Sequence, residues 1–117
     1  MNIEQFREYC LSKKGVEESF PFDDVTLVLK VGGKMFALVS LDGENSVNLK
    51  CDPERAIELR EEYDSIIPGY HMSKKHWNTV FLNGSLKSKF IAEMVDDSYN
   101  LVVAGLTKKM REELNKL

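Results

Sequence analysis

The chain has 117 residues, of which 43% are hydrophobic and 30% are charged, and its formal net charge is −3 at pH 7. This length supports one domain with a single core, this composition excludes a disordered chain, and no apolar run approaches the roughly 20 residues that a membrane span needs. An acid close to the N-terminus argues against a signal peptide, and two cysteines without a CxxC pair favour a reducing compartment, so we expect a cytoplasmic protein.

The N-terminal segment has the pattern of an amphipathic helix. Asn2 and Gln5 have the spacing of a capping box, in which each side chain binds the other residue's backbone N–H. Ile3, Phe6 and Cys10 recur at helical intervals and give the helix an apolar face. We therefore expect this face, including its thiol, to be buried.

Three antiparallel strands are predicted after this helix. Residues 25–31 and 34–41 flank Gly32-Gly33, and glycine reaches the positive φ that a two-residue hairpin turn requires. Residues 46–51 alternate between polar and apolar side chains and form the third strand.

The second of these strands is apolar on both faces. Strict alternation places Phe36 and Leu38 on one face and Met35, Ala37 and Val39 on the other. We therefore expect one face of the sheet to pack on helices and the other to be covered in part by a neighbouring segment or a partner.

A second helix and a second hairpin are predicted in the middle of the chain. Asp52 is a preferred cap, and Pro53 loses no needed donor at the first helical position. After this helix, residues 70–72 and 77–82 are predicted to pair around a loop at residues 73–76.

The C-terminal third is predicted to be helical, with a break at residues 96–98 and a last short helix at residues 108–116. The element order is therefore α-β-β-β-α-β-β-α. Antiparallel hairpins with interspersed helices indicate an α+β two-layer sandwich, in which an antiparallel sheet of about five strands carries the helices on one face.

A basic window interrupts this acidic chain. No Asp or Glu occurs between Asp64 and Glu93, and residues 65–92 carry a charge of +4. Residues 1–64 have 8 basic and 14 acidic residues, and residues 93–117 have 4 basic and 5 acidic residues. The window also contains both histidines and the only tryptophan, a pattern that suits a polyanion.

If the chain binds nucleic acid, we expect the contacts to lie in this window. Lysines would bind phosphates, which gives affinity without sequence information, and Trp77 or His76 would lie near sugars or bases. The predicted nucleic-acid-binding residues are Lys74, Lys75, His76, Trp77, Lys87 and Lys89.

Several motifs resemble those of the MmcQ/YjbR family. They are Pro21-Phe-Asp-Asp24, Asn48-Leu-Lys-Cys-Asp-Pro53, Gly69-Tyr-His-Met-Ser-Lys-Lys-His-Trp-Asn-Thr-Val80, Ser98-Tyr99 and Leu106-Thr-Lys-Lys109. The likeness covers nearly the whole chain, and the long central block is its most specific part. The resemblance implies a small bacterial α+β domain with a topology like that of type III secretion chaperones. It also implies DNA binding, commonly described for the family with a double-wing arrangement of β-hairpins, and it brings no catalytic residues.

The sequence lacks the common catalytic and cofactor motifs, namely GxSxG, the P-loop, GxGxxG and HExxH. His71 and His76 are five residues apart and can approach each other around the predicted loop, but no third metal ligand is evident near them. We therefore expect no enzyme activity, no metal and no cofactor.

Two alternatives to nucleic-acid binding remain open. One is a protein-interaction or chaperone-like module, in which the apolar strand face around Phe36 and Leu38 meets a partner protein or a second copy. The other is metal binding of the frataxin kind by exposed carboxylates. Those carboxylates belong to Glu4, Glu8, Glu17, Glu18, Asp23 and Asp24.

Overall fold

A computed structural model of the chain describes residues 1–70 and 72–117. That part of the chain contains four helices and six strands. Their bounds are α1 Ile3–Leu11, β1 Val16–Ser19, β2 Thr26–Val31, β3 Lys34–Ser40, β4 Ser46–Lys50, α2 Pro53–Glu62, β5 Ile66–Pro68, β6 Trp77–Phe81, α3 Ser88–Ala104 and α4 Lys108–Asn115. Over the same residues, no helix has both the length and the apolar character that a bilayer crossing requires.

The strands form one open antiparallel sheet in the order β1-β2-β3-β4-β6-β5, which confirms the predicted α+β architecture. The sheet has six strands rather than five because Val16–Ser19 pairs with β2, with Val16 opposite Val31. This strand was not predicted from the sequence because Glu17 and Glu18 interrupt its apolar pattern. The predicted Gly32-Gly33 hairpin is confirmed, with φ values of 59° and 77° at the two glycines.

The helices pack on one face of the sheet and enclose the main core. The capping box of α1 forms as predicted, because Gln5 N–H donates to Asn2 Oδ1 at 2.8 Å and Asn2 N–H donates to Gln5 Oε1 at 3.0 Å. Phe6 and Cys10 of α1 are fully buried against this face. Burial raises the pKa of the Cys10 thiol to about 12, so this thiol stays protonated.

A β-bulge in β3 corrects the predicted faces of that strand. Leu29 pairs with Ala37 while Lys30 pairs with Met35, so Phe36 is an extra residue without a partner in β2. Its ring is fully buried on the helical side and meets the Tyr99 ring edge to face, with 5.4 Å between centroids. The prediction that Phe36 and Leu38 share a face is therefore wrong.

The predicted break in the C-terminal helix is also wrong, because α3 runs through residues 96–98 without interruption. Ser98 is fully buried, and its hydroxyl donates to Phe36 O at 2.5 Å and accepts from Lys50 N–H at 2.9 Å. The sequence pattern placed this serine in the predicted break. Its hydroxyl instead binds the backbones of two strands and so ties α3 to the sheet.

Asp96 joins α3 to the N-terminal helix. The Tyr9 hydroxyl donates to Asp96 Oδ1 at 2.6 Å, and Lys13 Nζ lies 2.5 Å from the same oxygen. Burial opposes the charge on this carboxylate, but Lys13 and Tyr9 together hold the pKa of Asp96 below its ordinary value. The hydrogen bond to Asp96 in turn raises the pKa of Tyr9 to about 12.

The second hairpin forms with a shifted first strand. Ile66–Pro68, rather than residues 70–72, pairs with β6. Tyr70 N–H donates to the Thr79 side chain at 3.0 Å instead of continuing the backbone ladder. Of the predicted strand, Tyr70 and Met72 therefore lie beyond β5, and His71 lies outside the described residues.

Both edges of the sheet carry groups that oppose the addition of another strand. The edge strand β1 has only four residues, and two of them are Glu17 and Glu18. The opposite edge strand β5 has three residues and ends at Pro68, which lacks a backbone N–H. The larger surface left open is the face of the sheet that the helices do not cover.

Candidate binding groove and the basic turn

Lys74, Lys75 and His76 lie side by side on an exposed turn before β6, which we call the basic turn. His76 N–H and Trp77 N–H donate to Ser73 O at 3.3 and 3.0 Å and close the turn. The structure thus brings three of the predicted nucleic-acid-binding residues together. His71, the other histidine of the predicted pair, lies outside the described residues.

Trp77 faces the sheet rather than the solvent. Its side chain is 8% exposed and belongs to a second apolar cluster with Val28 and Leu38, against which Met35 and Met72 pack. The indole ring therefore helps to cover the open face of the sheet and is largely shielded from solvent.

Lys87 and Lys89 are exposed but lie far from the basic turn. Trp77 pairs with Lys50, and Lys50 N–H binds Ser98, so the start of β6 lies beside Ser98. Ser98 is about 15 Å along α3 from the helix start, at 1.5 Å per residue. The two lysines flank that start, so the four lysines of the window do not form one continuous basic surface.

Arg60 of α2 holds the basic turn in place. Its Nε donates to Asn78 Oδ1 at 2.6 Å, and its Nη2 donates to the backbone oxygens of Lys74 and Trp77, the latter at 3.3 Å. Lys74 Nζ adds a bond to Gly69 O at 3.2 Å. Nothing in the sequence spacing of Arg60 signals these contacts.

A groove with a volume of about 790 Å³ crosses the open face of the sheet, and we call it the open-face groove. Its floor comes from four neighbouring strands and mixes Leu38 with polar side chains. Those polar side chains belong to Thr26, Ser40, Ser46, Asn48 and Thr79. Thr79 Oγ donates to Asn48 Oδ1 at 2.6 Å and also accepts the N–H of Tyr70, so the floor is joined to the wall.

The walls of the groove are apolar and come from two separate segments. Phe22, in the loop before β2, is 65% exposed on one side. Ile67, Tyr70 and Phe81 lie on the other side, where Ile67 is 36% and Tyr70 60% exposed. Residues so distant in sequence give no shared periodic pattern, so the groove was not predicted beyond the general expectation of a partly covered apolar face.

Among the lining residues in the described part of the chain, the charged ones are Asp23 and Glu44. Asp23 Oδ1 accepts the N–H groups of Val25 at 3.0 Å and Thr26 at 2.7 Å. The bond from Val25, aided by those from Thr26, holds the pKa of Asp23 below its ordinary value. The charged side chains that line the groove are therefore acidic, whereas those of the basic turn are positive.

The carboxylates proposed for frataxin-like metal binding are dispersed. Glu18 forms an ion pair with Arg7 at 2.5 Å, and Asp23 is held by backbone N–H groups. Within residues 1–70 and 72–117, no three His, Cys, Asp or Glu side chains lie together as metal ligands.

Comparison with known proteins agrees with the fold and the motifs. A family model described as YjbR matches residues 11–101. The chain is 40% identical over 107 residues to YbdF of Escherichia coli O157:H7, which is 91% of this chain and 88% of that protein. It is 36% identical over 118 residues to YjbR of Escherichia coli K12, covering 100% of both chains.

Two solved structures share the architecture. Protein DR2400 of Deinococcus radiodurans, described as a DUF419 domain, superposes with a TM-score of 0.91 at 42% identity, covering 97% of this chain and 88% of that one. A protein from Pseudomonas syringae superposes with a TM-score of 0.73 at 32% identity, covering 86% of this chain and 98% of that one. Sequence motifs, family model and fold together establish that this chain belongs to the YjbR family.

Proposed function

We propose that this chain is a protein-interaction module that binds an extended segment of a partner protein in the open-face groove. The observation that carries the proposal is the exposure of large apolar side chains along the groove walls, led by Phe22 and Tyr70. Folded proteins rarely leave such side chains grouped on the surface unless they contact a ligand or a partner.

The shape and chemistry of the groove support an extended segment. Its volume of about 790 Å³ lies in the range of about 300–1,000 Å³ that is typical of ligand sites. Apolar walls can take the side chains of a bound peptide, while half-buried polar side chains of the floor such as Ser40 and Asn48 can bind its backbone. Because both sheet edges oppose strand addition, binding across the face is favoured over binding at an edge. The proposed action is binding alone, without a catalytic step.

A displayed library of random peptides, selected on the immobilised full chain, tests this proposal. Binding of the selected peptides is then measured by fluorescence anisotropy on the wild type and on Phe22→Ser. We expect Phe22→Ser to weaken binding about tenfold or more, since buried aromatic anchors dominate interface energies. Phe20→Ser is the matched control, because Phe20 is 49% exposed in the same loop and does not line the groove.

The comparison of the two variants shows whether the peptides bind in the groove or elsewhere on the surface. Peptides that lose affinity with Phe22→Ser and keep it with Phe20→Ser support the proposal. A selection that enriches no peptide, or only peptides that bind both variants like the wild type, overturns it.

Weak nucleic-acid binding at the basic turn is a second candidate, favoured by the adjacent exposure of Lys74, Lys75 and His76. With two lysines in reach rather than four, about two phosphates are neutralised. The log–log salt slope on duplex DNA should then be about −1.8, from about −0.9 per phosphate, and affinity should be near the non-specific range.

Labelled duplex and single-stranded DNA, titrated across a salt series, test this second candidate. We expect Lys74→Glu/Lys75→Glu to abolish binding while the circular dichroism spectrum is unchanged. Lys87→Glu/Lys89→Glu makes the same charge change at the distant helix start and should have a much smaller effect. Equal losses in the two variants would indicate a general charge effect instead of a site at the turn.

A further inference from the structure

We infer that the open-face groove selects a basic apolar segment, with a Lys or Arg side chain bound between Asp23 and Glu44 and apolar side chains along the rest of the groove. This inference rests on the proposed function and names the class of peptide that the groove takes. It depends on the placement of charge within the groove.

The two carboxylates lie at one end of the groove. Thr26 at the start of β2 pairs with Ser40 at the end of β3, so the loop before β2 and the turn after β3 meet at the same end of the sheet. Asp23 lies in that loop and Glu44 lies in that turn. Exposed acidic residues within two positions of them in sequence, Asp24 and Asp42, make this end more negative still.

The opposite end of the groove is apolar. Met35 pairs with Lys30, near the hairpin turn at the far end of β2 and β3, and both Met35 and Met72 pack against the cluster that contains Leu38. Thioether side chains adapt to varied apolar partners. The groove therefore has an acidic end and an apolar end with adaptable methionine side chains. This arrangement fits a segment with a cation at one end and apolar residues after it.

The Asp23 carboxylate is preorganised to bind a cation. It is fixed by the N–H groups of Val25 and Thr26 and by the Thr26 hydroxyl at 3.2 Å. These bonds keep it ionised and oriented before a ligand arrives, which lowers the entropic cost of binding. Phe22, the preceding residue, also lines the groove, and an aromatic ring close to the carboxylate can attract the same cation.

This charge distribution also separates the two candidate ligands in space. A phosphate backbone would be repelled by Asp23 and Glu44, whereas a basic peptide would be repelled by Lys74 and Lys75. The groove and the basic turn are therefore expected to bind different partners.

Three acetylated and amidated heptapeptides test the inference. They share their last five residues, which include Leu, Phe and Leu, and differ only in the first two, which are both Lys, both Gln or both Glu. We expect the Lys peptide to bind the wild-type chain about tenfold more tightly than the Glu peptide at low ionic strength, with a smaller difference at high salt. The Gln peptide should fall between them.

Charge-reversed variants locate the effect. Glu44→Lys should remove the preference for the Lys peptide. Glu112→Lys makes the same change in net charge on exposed α4, away from the groove, and should keep the preference. Equal loss in both variants would assign the preference to overall charge and overturn the inference.

The remaining outcomes distinguish this inference from the proposed function. If the library yields peptides that need Phe22 but carry no Lys or Arg, the proposed function stands and the inference falls. If no heptapeptide binds and the library yields none that needs Phe22, both fall. A concentration-dependent dimer that Phe22→Ser dissociates would assign the groove to a second copy and overturn both.

Discussion

Replacing Ser98 by alanine tests how strongly one buried hydroxyl holds α3 to the sheet. The hydroxyl bridges Phe36 O and Lys50 N–H, which belong to neighbouring strands, and Ser98 itself is fully buried. Alanine fits the same space without overpacking. The substitution therefore removes two hydrogen bonds while leaving the shape of the core nearly unchanged.

The expected loss of stability follows from the two groups left behind. An unsatisfied buried N–H or C=O costs about 1–3 kcal/mol, so the pair costs about 2–6 kcal/mol. The better helix propensity of alanine offsets about 0.5 kcal/mol of this. Because a domain of this kind has a total unfolding free energy of about 5–15 kcal/mol, Ser98→Ala should remove a substantial part of it.

Urea unfolding followed by circular dichroism measures this loss. With an m-value of about 1–3 kcal/mol/M, the midpoint should fall by about 0.5 M or more at an unchanged m-value. Ser88→Ala, at an exposed position of the same helix, is the control and should change stability by no more than about 0.5 kcal/mol. If the two variants unfold at the same urea concentration, the bridge contributes nothing and the reasoning is refuted.

Two further predictions concern the hairpin and the contact between the first and third helices. Gly32→Ala should destabilise the chain by about 1 kcal/mol more than Gly33→Ala in the same urea assay, since both need positive φ but only the Cβ at Gly32 would lie 2.7 Å from a buried leucine side chain. Asp96 has a lowered pKa in the fold, so its contribution to stability is present above the ordinary value of 3.8 and lost as the pH falls through the folded pKa. Asp96→Asn should therefore flatten the acid limb of the curve of unfolding free energy against pH, and an unchanged limb would exclude this role.

The elements with strong local signals could be predicted from the sequence. Asn2 and Gln5 signal a capping box, and Gly32-Gly33 signals a hairpin turn, through bonds and dihedral angles confined to a few neighbouring residues. The bulge at Phe36 could not be predicted, because it depends on the packing of its ring against Tyr99, 63 positions later in the sequence.

The candidate site was predictable only in part. The basic turn follows directly from the order of residues 73–76, which were predicted to form a loop and are exposed in the structure. The open-face groove depends on side chains that three distant segments bring together, among them Phe22, Glu44 and Tyr70. Charge counts along the chain average over these segments, so they do not reveal that the groove has an acidic end while residues 74–76 form a positive turn.

The chemistry of the sheet edges limits how copies of this protein can assemble. Growth of a filament by strand pairing needs two open edges that accept each other repeatedly, and here Glu17 and Glu18 oppose it at one edge while Pro68 opposes it at the other. Two copies that contact each other through the open face bury the same surface on both, so assembly stops at a dimer. An exposed apolar face would promote aggregation if the sheet edges could also pair with other chains. Because these edges oppose pairing, the face can remain open for a partner without leading to unlimited aggregation.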